Sequence, residues 1–152
     1  RIALNGPPGH LLYAAHTRAG FDAAMREFGL QEFAWKSVNL DSPFEAIRAA
    51  GRAAGEADDR PDGIVCSAPL DALGLARGLE DCGLKAGREI DIVTKCNSRV
   101  LSWFPPEILT INEDFREAGR DLARAVMARI GGADPATLQH LAIPKPGAET
   151  GR

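Results

Sequence analysis

Short strand-like runs alternate with helical stretches along the first part of the chain, and this alternation restricts the fold more than any other feature. Four runs are short and mostly apolar, at residues 2–5, 33–38, 62–66 and 90–94. The stretches between them carry apolar residues three or four positions apart, which is the helical period. Gly29 and Gly83 stand where the first and third helices would end. This order predicts right-handed βαβ units, so we expect residues 1–94 to form a four-stranded parallel sheet with helices on both faces.

The three helices between these strands have recognisable apolar faces. They are predicted at about residues 11–28, 43–57 and 69–82. Their inward residues are expected to be Phe21, Ala24, Met25 and Phe28, then Phe44, Ile47, Gly51 and Ala54, then Ala72, Leu75, Ala76 and Leu79. Ser42 is expected to cap the second helix, with Pro43 at its first position.

The second part of the chain is predicted to hold a loop, a strand and one more long helix. Residues 95–107 form the loop, and residues 108–111 form a short fifth strand. Asn112 can cap a helix over residues 113–131, whose inward residues would be Phe115, Leu122, Val126 and Ile130. A final strand is expected at residues 138–143, followed by a polar tail rich in proline and glycine.

Composition is that of an ordinary globular domain and excludes several classes of protein. The 152 residues suit one domain, with 45% hydrophobic and 26% charged residues. A net charge of −3 without a basic stripe argues against direct nucleic-acid binding by this segment. Three cysteines without a CxxC pair favour a reducing cytoplasm over a disulfide framework. The apolar runs are too short for a membrane span, and no signal peptide is visible. The sequence starts without methionine, which suggests a piece of a longer protein.

Ligands of parallel α/β sheets bind at the carboxyl ends of the strands, here the loops at 6–10, 39–42, 67–69 and 95–107. Cys66 and Cys96 could hold a metal there with His10 or His16, or one cysteine could act as a nucleophile beside a histidine. Neither idea has patterned spacing, so small buried cysteines are the simpler interpretation. The Gly-Pro-Pro-Gly loop at 6–9 lacks the spacing of a phosphate-binding loop, and its prolines remove backbone donors.

The order of motifs resembles the C-terminal half of a regulator of the LacI/GalR family. The resemblance lies in "RIALNGPPGH…RAGFDAAMREFGL", then "PDGIVCSAPLDALGLARGLEDCGLKAGREIDIV", then "PPEILTINEDFREAGRDLARAVMARI". It covers nearly the whole chain, and it depends on the order and spacing of these stretches rather than on one motif. The implied fold is a parallel-sheet, three-layer α/β sandwich of the periplasmic-binding-protein-like type, comprising the C-terminal subdomain plus a crossover helix.

The resemblance also implies a division of the chain. Residues 1–104 would be the C-terminal effector-binding subdomain. Residues 105–131 would be the crossover strand and helix, which normally pack in the N-terminal subdomain. Residues 132–152 would be a returning strand and a flexible tail, and the DNA-binding headpiece of such regulators would be absent from this segment.

Several positions depart from what the family usually carries. Thr17 stands where an effector-gripping arginine is usual, and Arg18 follows one residue later, about 100° around the helix. Ala68-Pro69 replaces an Asn-Asp pair. The stretch 94–97, Thr-Lys-Cys-Asn, stands where Gly-Phe-Asp-Asp is usual, so a ligand-binding carboxylate is lost as well. Because buried polar contacts supply sugar specificity, a typical hexose effector is not expected, which leaves a different or more apolar effector, or a degenerate site.

The resemblance implies an effector sensor of a LacI-type transcriptional regulator, with no catalytic residue, metal or cofactor. The expected effector contacts are Tyr13, Thr17, Arg18, Phe44, Ala68, Cys96, Asn97 and Glu113. Trp103 and Phe104 could stack on the effector or pack at the hinge. Expected partners are a small sugar or related metabolite, a second copy of the chain, and operator DNA through the missing headpiece, all in the cytoplasm. The alternatives are a periplasmic sugar-binding protein of the same fold and a small α/β enzyme.

Overall fold

A computed structural model describes residues 1–35, 38–96, 100–103, 108–139 and 145–146. Its five-stranded sheet has the order β1 (Ile2–Asn5), β2 (Gly63–Cys66), β3 (Asp91–Cys96), β4 (Leu109–Asn112) and β5 (Lys145–Pro146). The α-helices are α1 (Ala14–Glu27), α2 (Phe44–Glu56), α3 (Pro69–Asp81) and α4 (Phe115–Ile130). Two 3-10 helices lie at Val100–Trp103 and Pro135–Leu138.

The first four strands are parallel, as the alternation of strands and helices predicts. Ile64 of β2 lies opposite Ala3 of β1 and Ile92 of β3, and Thr94 of β3 lies opposite Thr110 of β4. β5 adds one antiparallel strand at the edge. The predicted α/β fold is therefore confirmed, with the carboxyl ends of β1, β2, β3 and β4 at one edge of the sheet.

The strand predicted at residues 33–38 is wrong within the described residues. The segment lies beside β1 and shares one parallel bridge with it, between Ile2 and Glu32. The Phe33 amide donates to the Ile2 carbonyl, but the Leu4 carbonyl accepts from the indole Nε1 of Trp35, at 3.1 Å. A side chain thus takes the acceptor with which a second rung of the ladder would form. Residues 1–94 consequently contribute three strands, and the fourth parallel strand is β4; residues 36 and 37 lie outside the description.

The main core lies between the sheet and the pair α2 and α3. Its side chains come from the predicted inward faces of these helices, from the first three strands and from the segment before β3, namely Ala3, Ile47, Ile64, Cys66, Ala72, Leu75, Ala76, Leu79, Ala86, Ile90 and Ile92. The two helices approach backbone to backbone: a Cβ added to Gly78 would lie 2.0 Å from the Arg48 carbonyl oxygen, and one added to Gly51 would lie 2.3 Å from the Leu75 carbonyl oxygen. Glycine is required at both positions because no larger residue fits.

Helix α1 covers the opposite face of the sheet more loosely. Phe21 is buried as predicted and Met25 is half-buried, but Ala24 is exposed and Phe28 is 68% exposed. Gly29 and Gly83 have φ of 63° and 79°, so both helix stops are confirmed and use the left-handed conformation that glycine favours.

Neither predicted helix cap forms. The Ser42 hydroxyl accepts from the Asn39 amide instead of a helix amide, and α2 begins after Pro43 without a side-chain cap. For α4 the cap is Asp114, whose carboxylate accepts from the Glu117 amide at 2.9 Å. The carboxylate two residues beyond Asn112 therefore sets the start of the last helix.

Helix α4 exposes its apolar stripe. Phe115, Leu122, Val126 and Ile130 are 62%, 70%, 58% and 75% exposed, and no residue of the helix is buried. The strand predicted at 138–143 is not formed at its start, because Leu138 ends a 3-10 helix; residues 140–143 lie outside the description. Among the described residues, no helix combines the length and the apolar character that a membrane span requires.

Candidate functional site

The carboxyl ends of the strands bring residues from distant parts of the sequence to one edge. β1 ends at Asn5, β2 at Cys66 and β3 at Cys96. The Ser67 amide donates to the Asn5 carbonyl at 3.0 Å, so the turn into α3 is tied to the end of β1. The Glu113 amide donates to the Cys96 carbonyl at 2.9 Å, which ties the segment after β4 to the end of β3. The edge is therefore a continuous surface on which a ligand could rest.

On the α1 side of this edge, Tyr13, Lys95 and Glu113 form a cluster. The Lys95 Nζ lies 5.0 Å from the centre of the Tyr13 ring and 3.5 Å from the Glu113 Oε1. Tyr13 is 42% exposed, and Glu113 is half-buried. The structure thus brings together two of the expected effector contacts, through a lysine that sequence reasoning did not single out. The cluster offers an aromatic face, an ammonium group and a carboxylate to a ligand.

The two α1 residues expected to contact the effector use their polar groups within the protein. The Thr17 hydroxyl donates to the Tyr13 carbonyl at 3.1 Å, in the same helix. The Arg18 guanidinium donates to both carboxylate oxygens of Glu32, at 2.7 and 2.5 Å, and pairs with Asp22 at 2.8 Å. The hydrogen bond from Arg18 holds the pKa of Glu32 below its usual value. Arg18 is therefore oriented towards the segment beside β1 and not towards Lys95.

Arg18 also lines a cavity of about 300 Å³ between α1, the end of β1 and the segment next to it. The lining combines the Arg18–Glu32 ion pair with residues that have no polar side-chain group apart from the Trp35 indole, and it consists of Leu4, Gly6, Pro7, Ala14, Arg18, Glu32, Ala34 and Trp35. The guanidinium is already paired with carboxylates on this wall, so the cavity presents no unsatisfied cation to an anionic ligand.

Of the remaining expected contacts, Phe44, Ala68 and Cys96 belong to the described residues. Phe44 is 39% exposed, and its ring would lie 3.4 Å from a Cβ added to Gly74, so it sits over the middle of α3. Ala68 precedes α3 and is 5% exposed. Cys96 is 2% exposed and alternates with the partly exposed Lys95 along β3. Asn97 lies outside the described residues, and the shared cleft for these side chains stays a prediction.

A buried polar cluster, which sequence reasoning missed, lies beneath the turn into α3. Asn5 and Asp71 are both 0% exposed, and the Asn5 Nδ2 donates to the Asp71 Oδ2 at 2.8 Å. Burial raises the pKa of Asp71 to about 6, although the hydrogen bond from Asn5 lowers it. The signal was present in the spacing, because Asp71 precedes Leu75 and Leu79 by four and eight residues on the inward face of α3.

The cysteine chemistry considered for this edge gains no support from the geometry. Burial, and secondarily the charge of Asp71, raises the pKa of the Cys66 thiol, which lowers its reactivity as a nucleophile. His10 lies 3.8 Å from Asp41, and its side chain is 70% exposed. The described residues contain no group of three or more potential metal ligands. Trp103 is 76% exposed, and Phe104 lies outside the description.

Comparison with known proteins places the chain in a family. Residues 1–148 match the periplasmic binding protein-like domain. The HTH-type transcriptional repressor PurR of Vibrio vulnificus strain CMCP6 is 30% identical over 118 residues, which are 73% of this chain and 33% of that repressor. The chain therefore spans about a third of this curated relative.

Solved structures agree with the fold. A regulatory protein of the LacI family from Chloroflexus aggregans has a TM-score of 0.83 at 21% identity, over 96% of this chain and 53% of that one. A dimeric Lac repressor with a C-terminal deletion has a TM-score of 0.74 at 21% identity, over 87% of this chain and 48% of that one. The resemblance to the effector-binding part of LacI/GalR regulators is confirmed, and the chain belongs to the family of periplasmic binding protein-like domains.

Proposed function

We propose that the chain is the effector-sensing part of a LacI-type transcriptional regulator and that it binds a small metabolite at the carboxyl edge of its sheet. The match of residues 1–148 to a periplasmic binding protein-like domain is the observation that carries the proposal. The Tyr13–Lys95–Glu113 cluster supports the position of the site, because these residues come from three separate elements and converge at the edge where α/β sheets bind ligands.

The mechanism follows from differential binding. An effector that contacts this edge and a second subdomain binds a closed arrangement better than an open one, and it shifts the population towards the closed state. Coupling to operator binding then requires that the two arrangements space the DNA-binding headpieces differently. In this proposal the chain has no catalytic role, acts in the cytoplasm, and contributes to a homodimer.

The proposed division of the chain agrees with this role. Residues 1–104 form the effector-binding subdomain, residues 105–131 cross to the other subdomain, and residues 132–152 return. The exposed apolar stripe of α4 supports the division, since a helix that belongs to residues 1–104 would be expected to bury such a stripe against them.

A thermal-shift screen of the full-length protein against sugars, nucleosides and small acids tests the function. A ligand present at about 100 times its Kd stabilises the folded state by about 2.7 kcal/mol, which is measurable as a rise in Tm. The ligand found must also change the affinity for operator DNA. A ligand that raises Tm without any effect on DNA binding would argue for the periplasmic sugar-binding alternative.

Substitutions then test the site. Lys95→Met and Glu113→Gln remove the charges of the cluster, and we expect each to weaken effector binding at least several-fold. Thr17→Ala and Asn97→Ala test the positions expected from the family. Arg26→Ala, on an exposed position of α1, is the control. Unchanged affinity in all four site variants would disprove the proposed position of the site.

A further inference from the structure

We propose that Asn5, Ser67 and Asp71 form a recognition site for the positively charged nitrogen group of a small ligand. The proposal rests on the proposed function and specifies the class of effector. It concerns the α3 side of the carboxyl edge, where β1 and β2 end and α3 begins. The Asn-Asp pair that the family usually carries after β2 is absent from this turn, and the polar groups of the turn and of the residues beneath it are Asn5, Ser67 and Asp71.

The first argument is an excess of hydrogen-bond acceptors. Three buried oxygens in this cluster have no hydrogen-bond partner within the described residues: the Asn5 Oδ1, the Ser67 Oγ and the Asp71 Oδ1. The Asn5 amide nitrogen already donates to the other carboxylate oxygen of Asp71. A buried polar atom without a partner is costly, and native proteins rarely retain one without a reason. Because amide and carboxylate oxygens only accept, the partner that satisfies them must be a donor.

The second argument is an uncompensated charge. Asp71 is fully buried, and no lysine or arginine among the described residues forms an ion pair with it. Buried carboxylates are normally paired or bound to a cation. The start of α3 carries roughly half a positive charge, which is less than the full negative charge of an ionised Asp71. An ammonium or amidinium group would neutralise the remainder, whereas an anionic ligand would add to it.

The third argument is the position of the cluster. Asp71 lies in the first turn of a helix of 13 residues, and Ala68 before that helix has no capping side chain. Ser67 is partly exposed although its hydroxyl oxygen is buried, so the cluster lies directly beneath the surface. Apolar residues at positions 5 and 71 would pack in this core without unsatisfied polar atoms, since the neighbouring inward residues are apolar. A buried acid that weakens the fold at a ligand-binding edge is a candidate for function.

The test uses the full-length protein and a panel of small probes at equal concentration. The cationic probes are 1,4-diaminobutane, 4-guanidinobutylamine and benzamidine; glucose is the neutral probe and succinate the anionic one. We expect at least one cationic probe to raise Tm, and neither glucose nor succinate to do so. Titration calorimetry then gives the affinity for the best cationic probe.

Variants assign the binding to the cluster. Asp71→Asn removes the charge with little change in shape, and we expect affinity for the cationic probe to fall at least ten-fold. Ser67→Ala, which leaves the buried pair intact, should weaken it about three-fold. Asp58→Asn changes the net charge by the same amount at an exposed position and should leave it unchanged. Circular dichroism confirms that each variant is folded.

The outcomes separate this inference from the proposed function. Equal affinity in Asp71→Asn and wild type would overturn the inference, as would binding of glucose or succinate alone or no binding of any cationic probe. None of these results decides the proposed function. That proposal is tested separately, by whether some metabolite changes the affinity for operator DNA.

Discussion

Gly78→Ala tests the backbone contact between α2 and α3. The new Cβ would lie 2.0 Å from the Arg48 carbonyl oxygen and 2.5 Å from the Arg52 amide nitrogen. Ordinary van der Waals contact begins at 3.4 Å, so the helices must separate by about 1.4 Å, the difference between 3.4 and 2.0 Å. Both neighbouring atoms belong to backbone, and no side chain can rotate out of the way.

Two effects of opposite sign decide the magnitude. Alanine favours a helix over glycine by about 1 kcal/mol, which would stabilise the variant. Overpacking costs about 1–3 kcal/mol and occasionally more, and a clash with backbone belongs at the upper end. We therefore expect a net loss of about 2 kcal/mol in the free energy of unfolding, or a fall of roughly 4–8 °C in Tm for a chain of this length.

Urea denaturation followed by circular dichroism measures the change, and two glycines provide matched controls. Gly20 in α1 and Gly119 in α4 are helical, and an added Cβ meets nothing within 4 Å at either position. Alanine at each should leave stability unchanged or raise it by up to about 1 kcal/mol. If Gly78→Ala behaved like the two controls, the close helix contact would be refuted.

Three further variants, the last with two substitutions, test other features. Asp71→Asn should raise the free energy of unfolding by up to about 3 kcal/mol at pH 7.5 and by about a third of that at pH 4.5. The reason is that the pKa of Asp71 in the folded protein, about 6, exceeds the usual 3.8, so the wild type loses stability as pH rises through this window. Urea denaturation at the two pH values measures the difference. Trp35→Phe removes the donor to the Leu4 carbonyl and should cost about 1 kcal/mol in the same assay, whereas no loss would show that this bond is dispensable. If α4 docks on a second copy of the chain, the isolated chain should sediment as a dimer or larger assembly, and the double substitution Leu122→Asp and Val126→Asp should convert it into a monomer. A wild type that is already monomeric at micromolar concentration would contradict this.

Local patterns in the sequence predicted most of the fold because they have local physical causes. Gly29 and Gly83 end helices because glycine readily adopts a positive φ. The apolar residues from Ala72 to Leu79 recur with the helical period, so they form one face that can be buried against a sheet. The parallel order follows from connections that are too long for hairpins. These inferences need no knowledge of which residues meet in space.

The errors arose where a side chain competed with the backbone. The segment at 33–38 has the composition of a strand, but the indole of Trp35 reaches the carbonyl that its backbone would have used. Asp114 takes the cap position because its carboxylate reaches the Glu117 amide. Such choices depend on distances of a few tenths of an ångström between groups, and periodicity carries no information about them.

The sequence and the structure indicate the same edge of the sheet, but partly different residues. The family pattern led to Tyr13 and Glu113, which the structure brings together through Lys95. The sequence does not indicate Asn5 and Asp71 as a pair, because they are 66 residues apart and meet only when α3 packs on the sheet. A charged residue at an inward helical position is the signal that would have found this pair.

The hydrogen bond between the Trp35 indole and the Leu4 carbonyl also allows tryptophan fluorescence to report on the end of β1. The chain has two tryptophans, of which Trp35 is half-buried beside β1 and Trp103 is 76% exposed. Iodide in solution should quench the emission of Trp103 first, so that the remaining, bluer emission belongs to Trp35. Because Leu4 directly precedes Asn5, a ligand that shifts the end of β1 would change that emission, and binding could be followed without a label.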